Sequence, residues 1–275
     1  MTPIVTLLTD FGLRDPYVGI MKAVILSTAP TARLVDLTHQ VGPQNILQGA
    51  FALASAVRYC PPATVHLAVV DPGVGSGRDA IVVQTHRARY VAPNNGLLTL
   101  ALENDRPVRA WRLNRPQYFL PEVSRTFHGR DIFAPVAGHL ACGRSPEDMG
   151  EPLPLDGLVK LTIPRPEETG GGIRARVVYV DRFGNLVTNL MGADIEHRPV
   201  RSVRIAQQFI PFAHTYASVP KGDYLCIWGS TGNLEIACSM GDAGGQLSVG
   251  EGVEVTVFLE DSSEAPHGGA AGVTP

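Results

Sequence analysis

From Thr64 to Val70 the chain is largely apolar. It then breaks at Asp71-Pro72-Gly73-Val74-Gly75-Ser76-Gly77-Arg78-Asp79 before a second apolar run, Ala80 to Val83. This pattern makes a buried strand leave the core through a sharp glycine-rich loop. The glycines open backbone conformations that side-chained residues avoid, which suits close approach to a ligand. The loop carries an acid, Asp71, and a fixed cation, Arg78. Taken alone it is also a tight turn with surface charges; at the carboxyl end of a strand it stands where α/β proteins bind ligands. It lacks the Lys-Ser/Thr of a P-loop and the spacing of a dinucleotide fingerprint.

The chain around this loop alternates. Ile4 to Leu8 is a short strand ending at Thr9-Asp10-Phe11-Gly12. Asp15-Pro16 predicts a helix start, with Asp15 as N-cap and Pro16 in the first helical position. Tyr17, Ile20, Met21, Val24 and Ile25 then form an apolar stripe at helical spacing. A strand follows over Arg33 to Leu37, a helix over Pro43 to Arg58, and the strand Thr64 to Val70. Ile81 to Gln84 and Tyr90 to Ala92 read as a hairpin, followed by Asn94-Asn95-Gly96 and a short helix from Leu97. Ala110 to Leu113 is a strand, and Phe127-His128-Gly129-Arg130-Asp131 precedes a helix over Ile132 to Cys142. Strands alternating with helices over residues 1–145 predict an α/β N-terminal domain, a mainly parallel sheet between helices.

Residues 146–172 are rich in Pro, Gly and Glu and read as a linker. Beyond them, over residues 173–260, short strands alternate with turn signals: Ile173 to Val180, Leu186 to Asn189, Val203 to Ala206, Tyr224 to Trp228, Leu234 to Cys238 and Val253 to Leu259. That spacing predicts a small C-terminal antiparallel β-barrel domain. The Gly/Ala/Ser-rich tail, residues 261–275, is expected to be disordered.

Composition narrows the class. With 44% hydrophobic and 18% charged residues in 275, and a net charge of −3, the chain has an ordinary globular make-up. It lacks the clustered basic surface that nucleic acid or an anionic membrane requires. Cys60, Cys142, Cys226 and Cys238 lie far apart, without a CxxC pair, so reduced and mostly buried thiols are expected. No charged-then-apolar leader opens the chain and no apolar run reaches membrane-spanning length. The expectation is a cytoplasmic protein.

Several strand-end loops carry more polar chemistry than turns require: Asp10 and Asp15; Asp71 and Arg78; Asn95; His128; Asp181 and Asn185; Ser230. Each has a structural alternative. The acids can cap helices, Asn95-Gly96 is a common turn pair, and Asp181 to Gly184 can be a hairpin turn. Their common position at one edge of a sheet favours a site.

Five motifs in order carry a resemblance: Thr9-Asp10-Phe11-Gly12, Val70-Asp71-Pro72-Gly73-Val74-Gly75, Pro93-Asn94-Asn95-Gly96, Phe127-His128-Gly129-Arg130-Asp131-Ile132-Phe133-Ala134-Pro135 and Asp181-x-Phe183-Gly184-Asn185. In these the chain resembles the S-adenosylmethionine (SAM) hydrolases, or SAM hydroxide adenosyltransferases, relatives of the SAM-dependent fluorinase and chlorinase. The resemblance implies a homotrimer with active sites between subunits. It also implies hydrolysis of SAM to adenosine and L-methionine without a further cofactor or metal.

The family's catalytic set falls on Asp71, Arg78 and His128. In the halogenating relatives the position of Asp71 is a tyrosine and that of His128 is not histidine, so the resemblance favours water over halide. For the substrate, it implies Asp10 on the ribose hydroxyls, with Asn95 and Asn185 serving sugar or base. Adenine stacks on Phe127 or Phe183. Asp181 and Asp15 approach the ammonium of the methionine end, and Ser230 its carboxylate. Glu235 and the backbone near Cys238 read the adenine edge, although Glu235 reads equally as an exposed strand charge. Ser239-Met240-Gly241-Asp242-Ala243 departs from the family's Gly-Asn-Ala tail. Other readings are a SAM-dependent halogenase, a non-catalytic SAM or adenosine sensor, and a metal-dependent hydrolase using Asp10, His39, Asp71 and His128. For the last, the histidine spacing is weak.

Overall fold

The computed structural model describes residues 2–260. The chain divides in sequence between Thr162 and Ile163 into two compact units. The first contains β1 (Ile4–Thr9), α1 (Tyr17–Thr28), β2 (Arg33–Thr38), α2 (Ile46–Val57), β3 (Val65–Val69), β4 (Ala80–Thr85), β5 (Arg89–Pro93), α3 (Thr99–Asn104), β6 (Pro107–Leu113), α4 (Ala134–Ala141) and β7 (Gly150–Leu153). Among the described residues these strands form one sheet in the order β2-β1-β3-β5-β4-β6-β7.

The expected mainly parallel sheet is instead mixed. Strands β2, β1, β3 and β5 run parallel, whereas β5–β4, β4–β6 and β6–β7 pair antiparallel. The reason is the β4–β5 hairpin, which inserts a reversed strand inside the sheet, so that everything beyond it is built on a reversed template. Alternation along the inner strands explains the two covered faces. Val5, Leu7, Leu67 and Val69 join Met21, Ile25, Val136 and Leu140 in one core. Leu8, Ala68 and Val70 join Leu53, Leu97 and Ala101 in the other.

The parallel register aligns Thr9 with Val69 and Leu8 with Thr38. The loops that begin with Asp10, His39 and Asp71 therefore leave the sheet at one edge. Asp15 does not cap α1. The N-cap position is Pro16, no side chain caps it, and the Pro16 carbonyl accepts the first helical bond from Ile20.

The second unit contains β8 (Glu167–Thr169), β9 (Gly172–Val180), β10 (Leu186–Met191), β11 (Val200–Ile205), β12 (Gln208–Pro211), β13 (Tyr224–Trp228), β14 (Asn233–Cys238), α5 (Ala243–Leu247) and β15 (Glu254–Leu259). Its antiparallel sheet runs β12-β11-β15-β9-β10-β14-β13, with β8 on β9, and a bridge from Phe212 to Cys226 nearly closes it. The stretch 146–172 is thus not a bare linker: β7 pairs with β6 and β8 with β9. The β6–β7 partners are remote in sequence and β8–β9 is a short hairpin, and the proline and glycine content of the stretch concealed both. Cys226 and Cys238 are buried, Cys60 is intermediate and Cys142 is exposed. The tail 261–275 lies outside the described residues. Among the described residues no helix is long and apolar enough to cross a membrane.

Candidate active site

The glycine-rich loop after β3 folds back on itself. Ser76 donates through both its amide and its hydroxyl to the Gly73 carbonyl, and the Arg78 amide donates to Ser76 Oγ. Gly75 has φ +77°, and a Cβ there would lie 2.3 Å from the Arg125 carbonyl oxygen, so this turn accepts only glycine. The fold brings Arg78 back onto Asp71. Nε donates to Oδ1 at 2.9 Å and Nη2 donates to Oδ2, a two-pronged pair. The side chains are 10% and 5% exposed.

The third member arrives from far along the chain. A single π turn, Gly129–Phe133, precedes α4 and places His128 at its start. Such wide turns recur at functional sites. Nη2 of Arg78 lies 2.8 Å from His128 Nδ1. A guanidinium only donates, so Nδ1 accepts. Burial first, and then the Arg78 charge, hold the imidazole below its ordinary pKa, with Asp71 and Asp131 opposing. The neutral ring therefore carries its proton on Nε2. Phe133 backs the guanidinium, its ring centroid 5.2 Å from the guanidinium carbon.

Asp10 stands one loop away, with Oδ2 accepting from the Gln44 amide at 2.8 Å. Asn95 is internally engaged: Nδ2 donates to the Val70 carbonyl at 2.8 Å and Oδ1 accepts from Leu97 N at 3.2 Å. Phe127 packs edge-on against Phe11 and Tyr17 at 5.7 and 5.2 Å, with Arg130 over its ring at 5.2 Å. Asp15 is exposed in the turn before α1. Of the metal-hydrolase set, His39 is buried against Thr9. Among the described residues, no three His, Cys, Asp or Glu side chains gather as a metal-binding group.

In the second unit, Asp181 organises the β9–β10 turn. It accepts from the amides of Phe183 and Asn185 and from Asn185 Nδ2, at 2.8–2.9 Å. That bonding leaves Phe183 75% exposed on the turn. Gly184, at φ +81°, lies so close to Asp242 that a Cβ would come within 1.9 Å of Oδ1. Asp242 also caps α5 through the Gly245 amide, giving the departure from the family's tail a structural role.

Glu235 is not an exposed strand charge: it is 9% exposed on β14. Burial, then the Asp181 charge, raises its pKa, against a bond from Tyr216. The turn carrying Ser230 passes directly above it, since a Cβ on Gly229 would meet Glu235 Oε1 at 1.8 Å. Cys238 Sγ is enclosed near the Gly222 carbonyl and Gln246. Sequence reasoning missed Gln44, Phe133 and Tyr216. Gln44 and Tyr216 lie outside the motifs, and Phe133, inside one, reads there only as a helix residue; the tertiary structure alone gives the three these contacts.

Comparison with known proteins gives the family. The family model described as SAM hydroxide adenosyltransferase N-terminal domain matches residues 5–150, and that of the C-terminal domain matches residues 175–256. A Thermus thermophilus protein named (R)-S-adenosyl-L-methionine hydrolase is 42% identical over 259 residues, 91% of this chain and 98% of its own. An uncharacterized conserved protein from Thermotoga maritima superposes with a TM-score of 0.85 at 37% identity, covering 92% of this chain and 99% of its own. A fluorinase from Actinoplanes is more distant, 26% identical over 289 residues, 93% of this chain and 97% of its own. The two domain matches span most of the chain, one in each of its two units, and the chain therefore belongs to the SAM hydroxide adenosyltransferase family.

Proposed function

We propose that this protein hydrolyses SAM to adenosine and L-methionine by in-line attack of an activated water on the ribose C5′. The observation that carries the reading is one guanidinium, Arg78, bonded at once to Asp71 and His128. Departure of a neutral thioether from a sulfonium needs no general acid, so the difficulty lies in making and aiming the nucleophile. Bulk water has a pKa of about 15.7 and needs a base or a positive field. Asp71 is the base, because each carboxylate oxygen keeps a lone pair beyond its bond to Arg78. Arg78 supplies the field. His128, with its proton on Nε2, donates to orient the water and does not compete for its proton. The new O–C5′ bond forms as C5′–S breaks; the electron pair stays on sulfur and the water proton goes to Asp71.

For the substrate, Asp10 takes the ribose hydroxyls and Phe183, the exposed ring, stacks on adenine; Phe127 is already covered by its neighbours. Asp181, Asp15 and Ser230 serve the methionine end. Asn185 and Glu235, with backbone near Cys238, serve the nucleoside. Asn95 acts through Val70. The working form is taken to be a cytoplasmic homotrimer with sites between subunits and no cofactor besides the substrate.

Incubation with SAM in halide-free, heavy-oxygen water tests the reading. Adenosine labelled at its 5′ oxygen is expected. SAM recovered intact would favour a sensor, and turnover that needs halide a halogenase; either would overturn the proposal.

A further inference from the structure

The loop after β2 grips the loop after β1 at three places. Thr9 Oγ1 meets His39 Nδ1 at 2.8 Å, Gly12 N donates to the His39 carbonyl at 2.8 Å, and Gln44 N donates to Asp10 Oδ2 at 2.8 Å. Gln44 holds a left-handed backbone, φ 65°, to aim that amide. Such a conformation is uncommon for a residue with a side chain and persists where its surroundings enforce it.

His39 is 3% exposed. Its Nε2 lies 3.0 Å from Asp36 Oδ1, close though not aligned as a full hydrogen bond, and Asp36 pairs with Lys22 at 2.6 Å. Burial pushes the Asp36 carboxyl up, but Lys22 and His39 beside it outweigh that and hold the group below its ordinary value. A carboxylate facing Nε2 favours a proton there and a lone pair on Nδ1. Thr9 then donates to the imidazole, and the Thr9 oxygen accepts from the Phe11 amide at 3.3 Å. Carboxylate, imidazole and hydroxyl in a row resemble a nucleophilic triad. Thr9 is fully buried, however, so its hydroxyl meets no substrate.

We propose that His39 is a positioning residue for substrate binding: with Gln44 it clamps the Thr9–Gly12 turn so that the Asp10 carboxylate meets the ribose hydroxyls already oriented. This rests on the reading of Asp10 above and adds the element that fixes its direction. Pre-ordering of this kind improves binding because less freedom is lost when the substrate arrives.

The test uses the full chain with SAM. H39N keeps an acceptor where Nδ1 stood, H39A removes it, and T9V removes the hydroxyl while keeping its shape. H39A and T9V are expected to raise KM roughly fivefold to twentyfold with kcat within about threefold, and H39N to restore most of the affinity. Hydrogen exchange at the Phe11 and Gly12 amides should speed up in H39A and T9V and slow again in H39N. D10N should raise KM by itself, and adding H39A to it should cost less than H39A costs alone, because the two act through one contact. A wild-type KM in D10N would overturn the Asp10 reading and this inference together. If D10N raises KM while folded T9V keeps the wild-type value, or if H39N fails to rescue, this inference alone is overturned.

Discussion

Asn95 donates its amide to the carbonyl of Val70, the residue immediately before Asp71, at a distance of 2.8 Å. A side chain expected on the substrate is thus built into the support of the carboxylate. Asn95→Ala leaves that carbonyl unpaired, which costs about 1–3 kcal/mol. The expected result is lower stability on denaturant titration and a fall in kcat larger than the rise in KM. An unchanged kcat would show that Asp71 does not depend on this bond.

Asp71→Asn and His128→Ala are expected to keep SAM affinity within about tenfold, roughly 1.4 kcal/mol, while losing most turnover. Calorimetric binding together with product chromatography reads both quantities. A normal rate in either variant removes that residue from the chemistry. Arg78→Lys keeps the charge but loses the fork that joins Asp71 to His128. It should lose most turnover as well.

Burial and Arg78 hold His128 below its ordinary pKa. Activity should therefore be level through neutral pH and fall on acidification, once the imidazole protonates and Nδ1 can no longer accept from Arg78. The pH profile of kcat/KM checks this. Loss of activity on raising the pH through neutrality would contradict the assigned proton position.

His66, buried against Thr6, is pushed by burial from 6.5 to about 4, with Asp105 opposing. The unfolded chain takes up that proton first as pH drops. Stability is therefore lost as pH falls from 6.5 towards 4 and regained as it rises, by an amount of about 3 kcal/mol. Denaturant midpoints across this range should flatten in His66→Asn, and an unaltered slope would assign the acid sensitivity elsewhere.

Phe183 is 75% exposed, so Phe183→Ala should leave the melting temperature unchanged. Aromatic–base stacking is worth about 1–3 kcal/mol, which corresponds to a KM increase of roughly fivefold to 150-fold. An unchanged KM would move adenine to another surface.

Much of the architecture was legible in the sequence because its causes are local. Apolar periodicity located β1, β3, the β4–β5 hairpin and most strands of the second unit, and glycine marked the turns that require it, such as Gly75 and Gly184. The motif loops were legible too, since parallel strands with helical crossovers send their carboxyl ends to one edge.

Local pattern could not show what each polar group touches. Asp71 and Arg78 are seven residues apart, but His128 reaches Arg78 across fifty residues and His39 reaches Thr9 across thirty. Asn95 and Asp181 read as ligands in the sequence, and the folded chain adds that they bond backbone groups of the loops they stand in or beside. The addition of β7 to the sheet was likewise decided by pairing between distant segments, whereas the reversal of β4 and the addition of β8 arise from local hairpins. Residue type and spacing determine which chemistry a chain carries. Hydrogen-bond partners are chosen only when sheet register and helix packing bring remote groups within about 3 Å.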